Sequence, residues 1–254
     1  MNASDNYFDE LQERIKSHPG KPVFEALRIY DMSKFILDGN SSQLRQLICI
    51  LEDPKDPAQI VGVDRRTYLQ WLFVDVNRHL HNFLTSITTL IDHTRSLMDE
   101  DFVKPEHRQE YQIKVEAVFA NDPLAQFLKK FRNYITHYEI PHIGLDIQFG
   151  SIAAGVEPRQ LFIELDQLKD GFDWSPASRK FIEMNKPKMR MLKLVDDYGL
   201  KSKNFYDELM LTFQKHLGRE LNEVRSMMQE SNELWTKMFD EMTKSSESKA
   251  NKPV

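Results

Sequence analysis

The chain has 254 residues, of which 41% are hydrophobic and 29% are charged. That composition is ordinary for a soluble globular protein, and the length suffices for one large domain or two small ones. The formal net charge is −5 and the isoelectric point is about 5.9. Because an acidic molecule repels nucleic acid through its overall field, these values disfavour a general nucleic-acid binder, and any contact with RNA needs a local basic patch.

Cysteine content and hydropathy indicate the compartment. Cys49 is the one cysteine, which excludes an internal disulfide and points to a reducing environment. The sequence contains no apolar run of about 18 residues, and its N-terminus is acidic and polar rather than a signal sequence. We therefore expect a cytoplasmic protein that does not enter a membrane.

Helical periodicity dominates the chain as far as Pro141. Gly39 and Asn40 form a pattern typical of a helix end, and Asp64 is a candidate helix N-cap. Asp122 and Pro123 indicate an N-cap followed by the first turn of a helix. The periodic segments predict helices over about residues 5–17, 23–38, 41–52, 64–98, 105–120 and 123–138.

The pattern changes after Pro141, where two alternating or apolar runs predict a β-hairpin over about 142–166. C-terminal helices follow over 175–244: one opened by Ser175-Pro176, one between Pro187 and Gly199, and a long amphipathic one from about 203 to 244. Residues 245–254 are expected to form a disordered tail. The predicted fold class is mainly α: an antiparallel helical bundle with a small inserted β-hairpin and a long C-terminal helix, in a single domain over 1–244.

The predicted helix over 64–98 has two distinct faces. One carries a stripe of apolar side chains and the other is polar but mostly small and uncharged, whereas a solvated helix face usually carries Lys and Glu. We therefore expect the polar face to be covered by another helix, a second subunit or a ligand. Its candidate binding residues are Arg78, Asn82, Thr89 and His93.

The predicted helix over 123–138 carries the most informative cluster. Asn133 and His137 are neighbours at i and i+4, on the side away from the apolar stripe, and Arg132 lies on their flank. His137 is in the last turn, where the helix dipole favours the imidazolium form. A guanidinium beside an imidazolium makes a candidate site for a phosphate anion.

The order Arg132-Asn133, three residues, then His137 resembles the Arg-x4–6-His motif of HEPN domains, a family of α-helical bundles found in many toxin, CRISPR-associated and antiphage ribonucleases. The resemblance covers about residues 64–141. It implies metal-independent RNA cleavage, in which the ribose 2′-hydroxyl attacks the adjacent phosphate, with no cofactor. It also implies that His137 is the general acid or base, that Arg132 stabilises charge on the phosphorane, and that Asn133 positions the substrate or His137. Two such motifs usually meet across a dimer, so the implied partners are an RNA substrate and a second copy of the chain.

Two other functions fit the same residues. In a non-catalytic protein–protein interaction module, the long C-terminal helix would recruit a partner. Arg132, Asn133 and His137 would then form a structural polar network with the helix over 64–98, or His137 would cap helix carbonyls. In a small-ligand or nucleotide sensor, the polar face around Asn82 and His93 would line an enclosed pocket between the two helices. A metal site is not expected, because on the long helix His81 points about 160° away from His79 and about 120° away from His93.

Overall fold

The computed structural model describes residues 3–53, 66–147 and 159–250. Helices make up most of these residues, and a five-residue π-helical turn, Glu116–Ala120, continues the fourth helix. In chain order the helices are α1 (Ala3–Ser17), α2 (Gly20–Glu52), α3 (Arg66–Asp99), α4 (Pro105–Val115), α5 (Pro123–His137), α6 (Pro176–Asn185) and α7 (Met191–Ala250). The predicted fold class is confirmed: the chain is mainly α, with a small antiparallel sheet and a long C-terminal helix.

The predicted hairpin is confirmed as β1 (Ile143–Ile147) paired with β2 (Arg159–Glu164). A third strand, β3 (Lys188–Arg190), pairs antiparallel with β2 and was not predicted, because three residues after Pro187 are too short to show a strand pattern. The predicted strand residues beyond Ile147, and the hairpin's turn, lie outside the described residues.

One carboxylate joins the sheet to α2. Glu52, at the end of α2, accepts a hydrogen bond from the backbone N–H of Leu161 at 2.8 Å. Its second oxygen accepts from the guanidinium of Arg190 at 2.8 Å. Since Leu161 is on β2 and Arg190 is on β3, one side chain holds two strands at the end of the helix.

Two helix boundaries were predicted wrongly, both at glycines. We expected a break at Gly39-Asn40, but α2 continues through it, and we expected another after Gly199, but α7 continues through it. Neither glycine has the positive φ of a helix C-cap. Both helices continue because apolar residues on either side of each glycine are buried: Leu37, Leu44 and Ile48 in α2, and Val195, Tyr198, Phe205 and Tyr206 in α7.

The other boundaries follow the sequence closely. Asp122 accepts a hydrogen bond from the backbone N–H of Ala125 at 2.8 Å, as an N-cap does, and Ser175 caps α6 in the same way. The predicted N-cap Asp64 lies outside the described residues. Helix α7 runs past its predicted end near Lys244 to Ala250, so the expected tail begins inside the helix, and its last residues lie outside the described part.

The chain groups into two compact units. The first unit, Met1–Ile29 with Glu208–Val254, brings the two ends of the chain together, with α1 against the distal part of α7. There Phe8 contacts Trp235 with ring centroids 5.8 Å apart, and His18 lies 3.4 Å from the Glu223 carboxylate. Its core is apolar: Leu11, Ile15, Val23, Leu27, Leu221 and Val224.

The second unit, Tyr30–Asp207, contains α3 to α6, the sheet and the adjoining parts of α2 and α7. Its core is large and aromatic, and it holds every residue singled out by the sequence. The most completely buried large side chains include Tyr30, Phe83, Leu90, Phe127, Phe131 and Tyr134.

Candidate functional site

A stack of aromatic rings fixes the rotation of α5. Phe127 stacks on Phe131 with centroids 4.9 Å apart and on Phe181 of α6 at 4.6 Å. One turn later, Tyr134 stacks on Trp174 at 5.3 Å. Because these rings are buried on one side of the helix, the opposite side of α5 must face outward.

The C-terminal end of α5 is held by a tyrosine and a glutamate. The hydroxyl of Tyr134 donates to the carboxylate of Glu139 at 2.9 Å, and Lys169 approaches the same carboxylate at 3.2 Å. Burial, together with the hydrogen bond to Glu139, raises the pKa of Tyr134 to about 12. The hydrogen bonds from Tyr134 and Lys169 hold the pKa of Glu139 below its usual range. The phenol therefore stays a donor and the carboxylate stays charged over the physiological range.

The outward face of α5 carries the motif residues. At 100° per residue, Lys129, Arg132, Asn133 and Thr136 lie within one third of the helix circumference, with His137 at its edge. The helix contains Lys129, Lys130 and Arg132 but no Asp or Glu. It is thus a locally basic element in a chain whose net charge is −5.

Arg132 and Asn133 contact each other directly. Arg132 is half-buried, and its Nη1 donates to Oδ1 of Asn133 at 3.2 Å. Its Nε is buried and has no hydrogen-bond acceptor among the residues that the structure describes. One donor of the guanidinium is therefore engaged, and another is buried without an acceptor in the described part of the chain.

His137 is exposed at the end of α5. Within residues 3–53, 66–147 and 159–250, its side chain makes no hydrogen bond or ion pair. The structure places His137 on the same helix as Arg132 and Asn133, as predicted, but no hydrogen bond joins the imidazole to either of them in the described part of the chain.

The predicted polar network between α5 and α3 is not formed in the described part of the chain. There, no hydrogen bond or ion pair connects Arg132, Asn133 or His137 with α3. His93 instead contacts the hydroxyl of Ser33 on α2, at 2.5 Å from its Nδ1. In the described part of the chain, the motif side chains of α5 are thus not tied to α3.

Helix α2 contacts part of the predicted binding face of α3, and Arg78 on that face stays exposed. Besides the contact of His93, the amide of Asn40 on α2 donates to the backbone carbonyl of Asn82 at 3.4 Å. Thr89 bonds the carbonyl of Thr85 in its own helix at 3.1 Å, and Arg78 pairs with Asp75 at 2.7 Å. The structure therefore places Arg78, Asn82, Thr89 and His93 along α3 with local or helix-packing partners, and does not bring them together with the α5 motif.

A cavity of about 340 Å³ lies in the same unit, and the sequence did not indicate the residues that line it. It is bounded by α3, by α4 with its π-helical turn, by α5 and by the first part of α7. None of the α3 and α5 candidates named from the sequence lines it. The α3 residues that line the cavity lie between the apolar and polar faces of that helix: Ile87, Thr88, Ile91, Asp92 and Arg95. The face pattern of a single helix therefore could not indicate the cavity.

The chain shows no sign of a metal centre or a membrane span within its described parts. No three His, Cys, Asp or Glu side chains there are grouped so that they could hold a metal ion. None of the described helices combines the length and the apolar character needed to cross a bilayer.

Comparison with other proteins gave no relative from which a function could be carried over. No protein-family profile, curated protein or solved structure was found that matches this chain. The chemistry of the described residues is therefore the basis for the proposals below.

Proposed function

We propose that the chain is a metal-independent endoribonuclease of the HEPN type, with toxin or antiphage-like activity. The observation that carries this proposal is the outward face of α5. There His137 is exposed and makes no side-chain hydrogen bond or ion pair within the described residues, and it lies on the same helix as the half-buried Arg132. A proton-transfer group must be reachable by substrate, and His137 meets that condition.

The proposed chemistry needs no bound cofactor. The ribose 2′-oxygen attacks the adjacent phosphorus while its proton passes to a base, and the bond from phosphorus to the 5′-oxygen breaks as that oxygen gains a proton from an acid. The products are a 2′,3′-cyclic phosphate and a free 5′-hydroxyl. His137 performs one of these proton transfers, Arg132 stabilises the charge on the phosphorane, and Asn133 positions the guanidinium through the hydrogen bond of 3.2 Å.

The proposed active form is a dimer. Arg132-Asn133-x3-His137 is the one motif of its kind in the sequence. Since cleavage needs both a base and an acid, a second copy of the chain would supply the second imidazole.

The charge distribution supports an RNA substrate at α5. Of the cations on this helix, Lys130 is paired with Asp173 at 2.7 Å. Lys129 is exposed and has no ion pair within the described residues. An acidic chain thus presents a short basic face, which is the local patch that contact with RNA requires.

The first prediction is that the wild type cleaves single-stranded RNA in the presence of EDTA and that the motif variants do not. We expect His137→Ala to lower the cleavage rate by about 10²-fold or more. Arg132→Ala should lower it by about 10²- to 10³-fold, as the loss of a group that stabilises the transition state does. Cleavage is followed by denaturing gel electrophoresis, and the cyclic phosphate end is identified by mass spectrometry.

Two controls separate chemistry from folding and contamination. His142→Ala removes another exposed histidine close to the motif, Arg225→Ala removes an exposed arginine of the other unit, and both should cleave at the wild-type rate. A substrate with 2′-deoxyribose at the cleaved position should resist the wild type. Equal cleavage by all variants, or by none including the wild type, would remove the catalytic claim.

A further inference from the structure

The cavity bounded by α3, α4, α5 and α7 has an aromatic floor. Tyr198, Phe205 and Tyr206 of α7 are buried and line it, and Phe119 of the π-helical turn lies across from them with its ring 5.0 Å from that of Phe205. Tyr111 of α4 adds a further ring. Aromatic walls of this kind favour a planar, apolar or heteroaromatic group by stacking and edge contacts.

The rim of the cavity is charged and exposed. Arg95 and Asp92 of α3 lie at the rim as a pair 3.4 Å apart, and both side chains are mostly in solvent. Lys129 of α5 also lines the cavity and has no ion pair within the described part of the chain. Two cations and one carboxylate leave an excess positive charge at the entrance, which suits an anionic group.

The wall between floor and rim is polar and fixed. Gln126 of α5 donates its side-chain amide to the backbone carbonyl of Phe119 at 3.0 Å, which ties α5 to the π-helical turn. Thr88 and Gln112 also line the cavity, and each donates a side-chain hydrogen bond to a residue one turn away in the chain. A π-helical turn is rare in proteins and occurs often beside functional sites.

We propose that this cavity binds a nucleoside monophosphate, with the base against the aromatic floor and the phosphate at Lys129 and Arg95. Its volume of about 340 Å³ is in the lower part of the range of ligand pockets, about 300–1,000 Å³. The combination of buried rings at one end and cations at the other matches a ligand with one planar and one anionic part. This site shares Lys129 with the basic face of α5 but contains none of the three motif residues, so it does not depend on RNA cleavage.

Binding is measured by isothermal titration calorimetry on the full chain with three probes: adenosine 5′-monophosphate, adenosine and inorganic phosphate. The monophosphate should bind at least tenfold more tightly than either part alone, because only it contacts both floor and rim. If inorganic phosphate bound as tightly as adenosine 5′-monophosphate, the site would be a surface anion site and the proposal would be overturned. No binding of any probe would overturn it too.

Surface variants test the location without disturbing the core. Lys129→Ala should weaken binding of adenosine 5′-monophosphate about tenfold and leave adenosine binding unchanged. Its neighbour Lys130→Ala, which does not line the cavity, is the matched control. Ala120→Trp, at an exposed position that lines the cavity, should fill it and abolish binding of both adenosine and its monophosphate.

Ala117→Trp, at an exposed position of the same π-helical turn outside the cavity, is the control for that substitution. Unchanged binding in both Lys129→Ala and Ala120→Trp would contradict the proposal. His137→Ala should bind the monophosphate as the wild type does, so a failed ribonuclease assay and a failed binding assay can be told apart.

Discussion

At the scale of single residues, the contact between Tyr134 and Glu139 decides how α5 ends. Tyr134 is almost fully buried, yet its hydroxyl reaches a carboxylate that is accessible to solvent. The residue thus combines a stacked ring in the core with a donor at the surface, next to the motif. This placement makes it a positioning residue for the last turn of α5, where His137 lies.

We predict that Tyr134→Phe destabilises the protein by about 1 kcal/mol at neutral pH, the value of one hydrogen bond to a partly exposed acceptor. The pKa of Glu139 is lowered in the folded state. A carboxyl group whose pKa is lowered by folding adds stability at pH values above its unfolded-state pKa of about 4.3. This stability is lost as the pH falls through the folded-state pKa. The difference between variant and wild type should therefore shrink as the pH falls below about 4.

Urea unfolding at a series of pH values measures this difference. Glu139→Gln serves as the comparison, because it keeps the size of the side chain and removes its titration. If the deficit of Tyr134→Phe were the same at low and neutral pH, the hydrogen bond to Glu139 would not be the source of that stability.

At the scale of elements, glycine has opposite roles at two positions. Gly39 lies within α2, and a Cβ added there would meet no atom within 4 Å. Gly144 lies on β1 directly across from Phe162, and a Cβ there would approach that ring to 2.6 Å. Substitution by alanine therefore distinguishes the two positions: α2 tolerates a glycine at Gly39, whereas the close approach of Phe162 requires one at Gly144.

We predict that Gly39→Ala stabilises the protein by about 0.5–1 kcal/mol, because alanine lowers the entropy of the unfolded chain and favours the helix. Gly144→Ala should destabilise it by about 1–3 kcal/mol through overpacking against Phe162. Chemical denaturation gives both values. A destabilising Gly39→Ala would indicate that α2 is broken at Gly39 after all.

The element scale also shows which predictions succeeded. Caps at Asp122 and Ser175 and the start of α4 at Pro105 were predictable because hydrogen bonding and proline geometry act within a few residues. The breaks at Gly39 and Gly199 were wrong, because burial on either side outweighs a local cost of about 1 kcal/mol per glycine.

At the scale of the whole molecule, net charge and local charge differ in sign at α5. The chain carries −5 overall, while α5 carries three cations and no carboxylate. RNA bound at α5 is attracted by the few cations of that helix and repelled by the net negative charge of the remaining chain. The proposed function therefore requires a weak and shallow dependence of binding on salt.

For single-stranded RNA, the logarithm of the affinity falls with the logarithm of the salt concentration by about 0.7 per phosphate neutralised. The proposed dimer brings two copies of α5 with three cations each, so we predict a slope no steeper than about −4. Arg132→Ala removes one cation from each copy and should make the slope shallower by about 1.4. Fluorescence anisotropy with labelled RNA between low and moderate salt measures it, and a slope steeper than about −5 would place the binding surface elsewhere.

The sequence by itself determined the fold class, most helix starts, the hairpin, and the position of Arg132, Asn133 and His137 on one helix, because these depend on periodicity and local hydrogen bonding. Only the tertiary structure decided that α2 contacts the polar face of α3 at Asn82 and His93, that the described contacts of the α5 motif do not include α3, and that four helices line a cavity. Such features depend on side chains far apart in the chain, whose meeting is set by the packing of several apolar faces at once, and no local pattern encodes that.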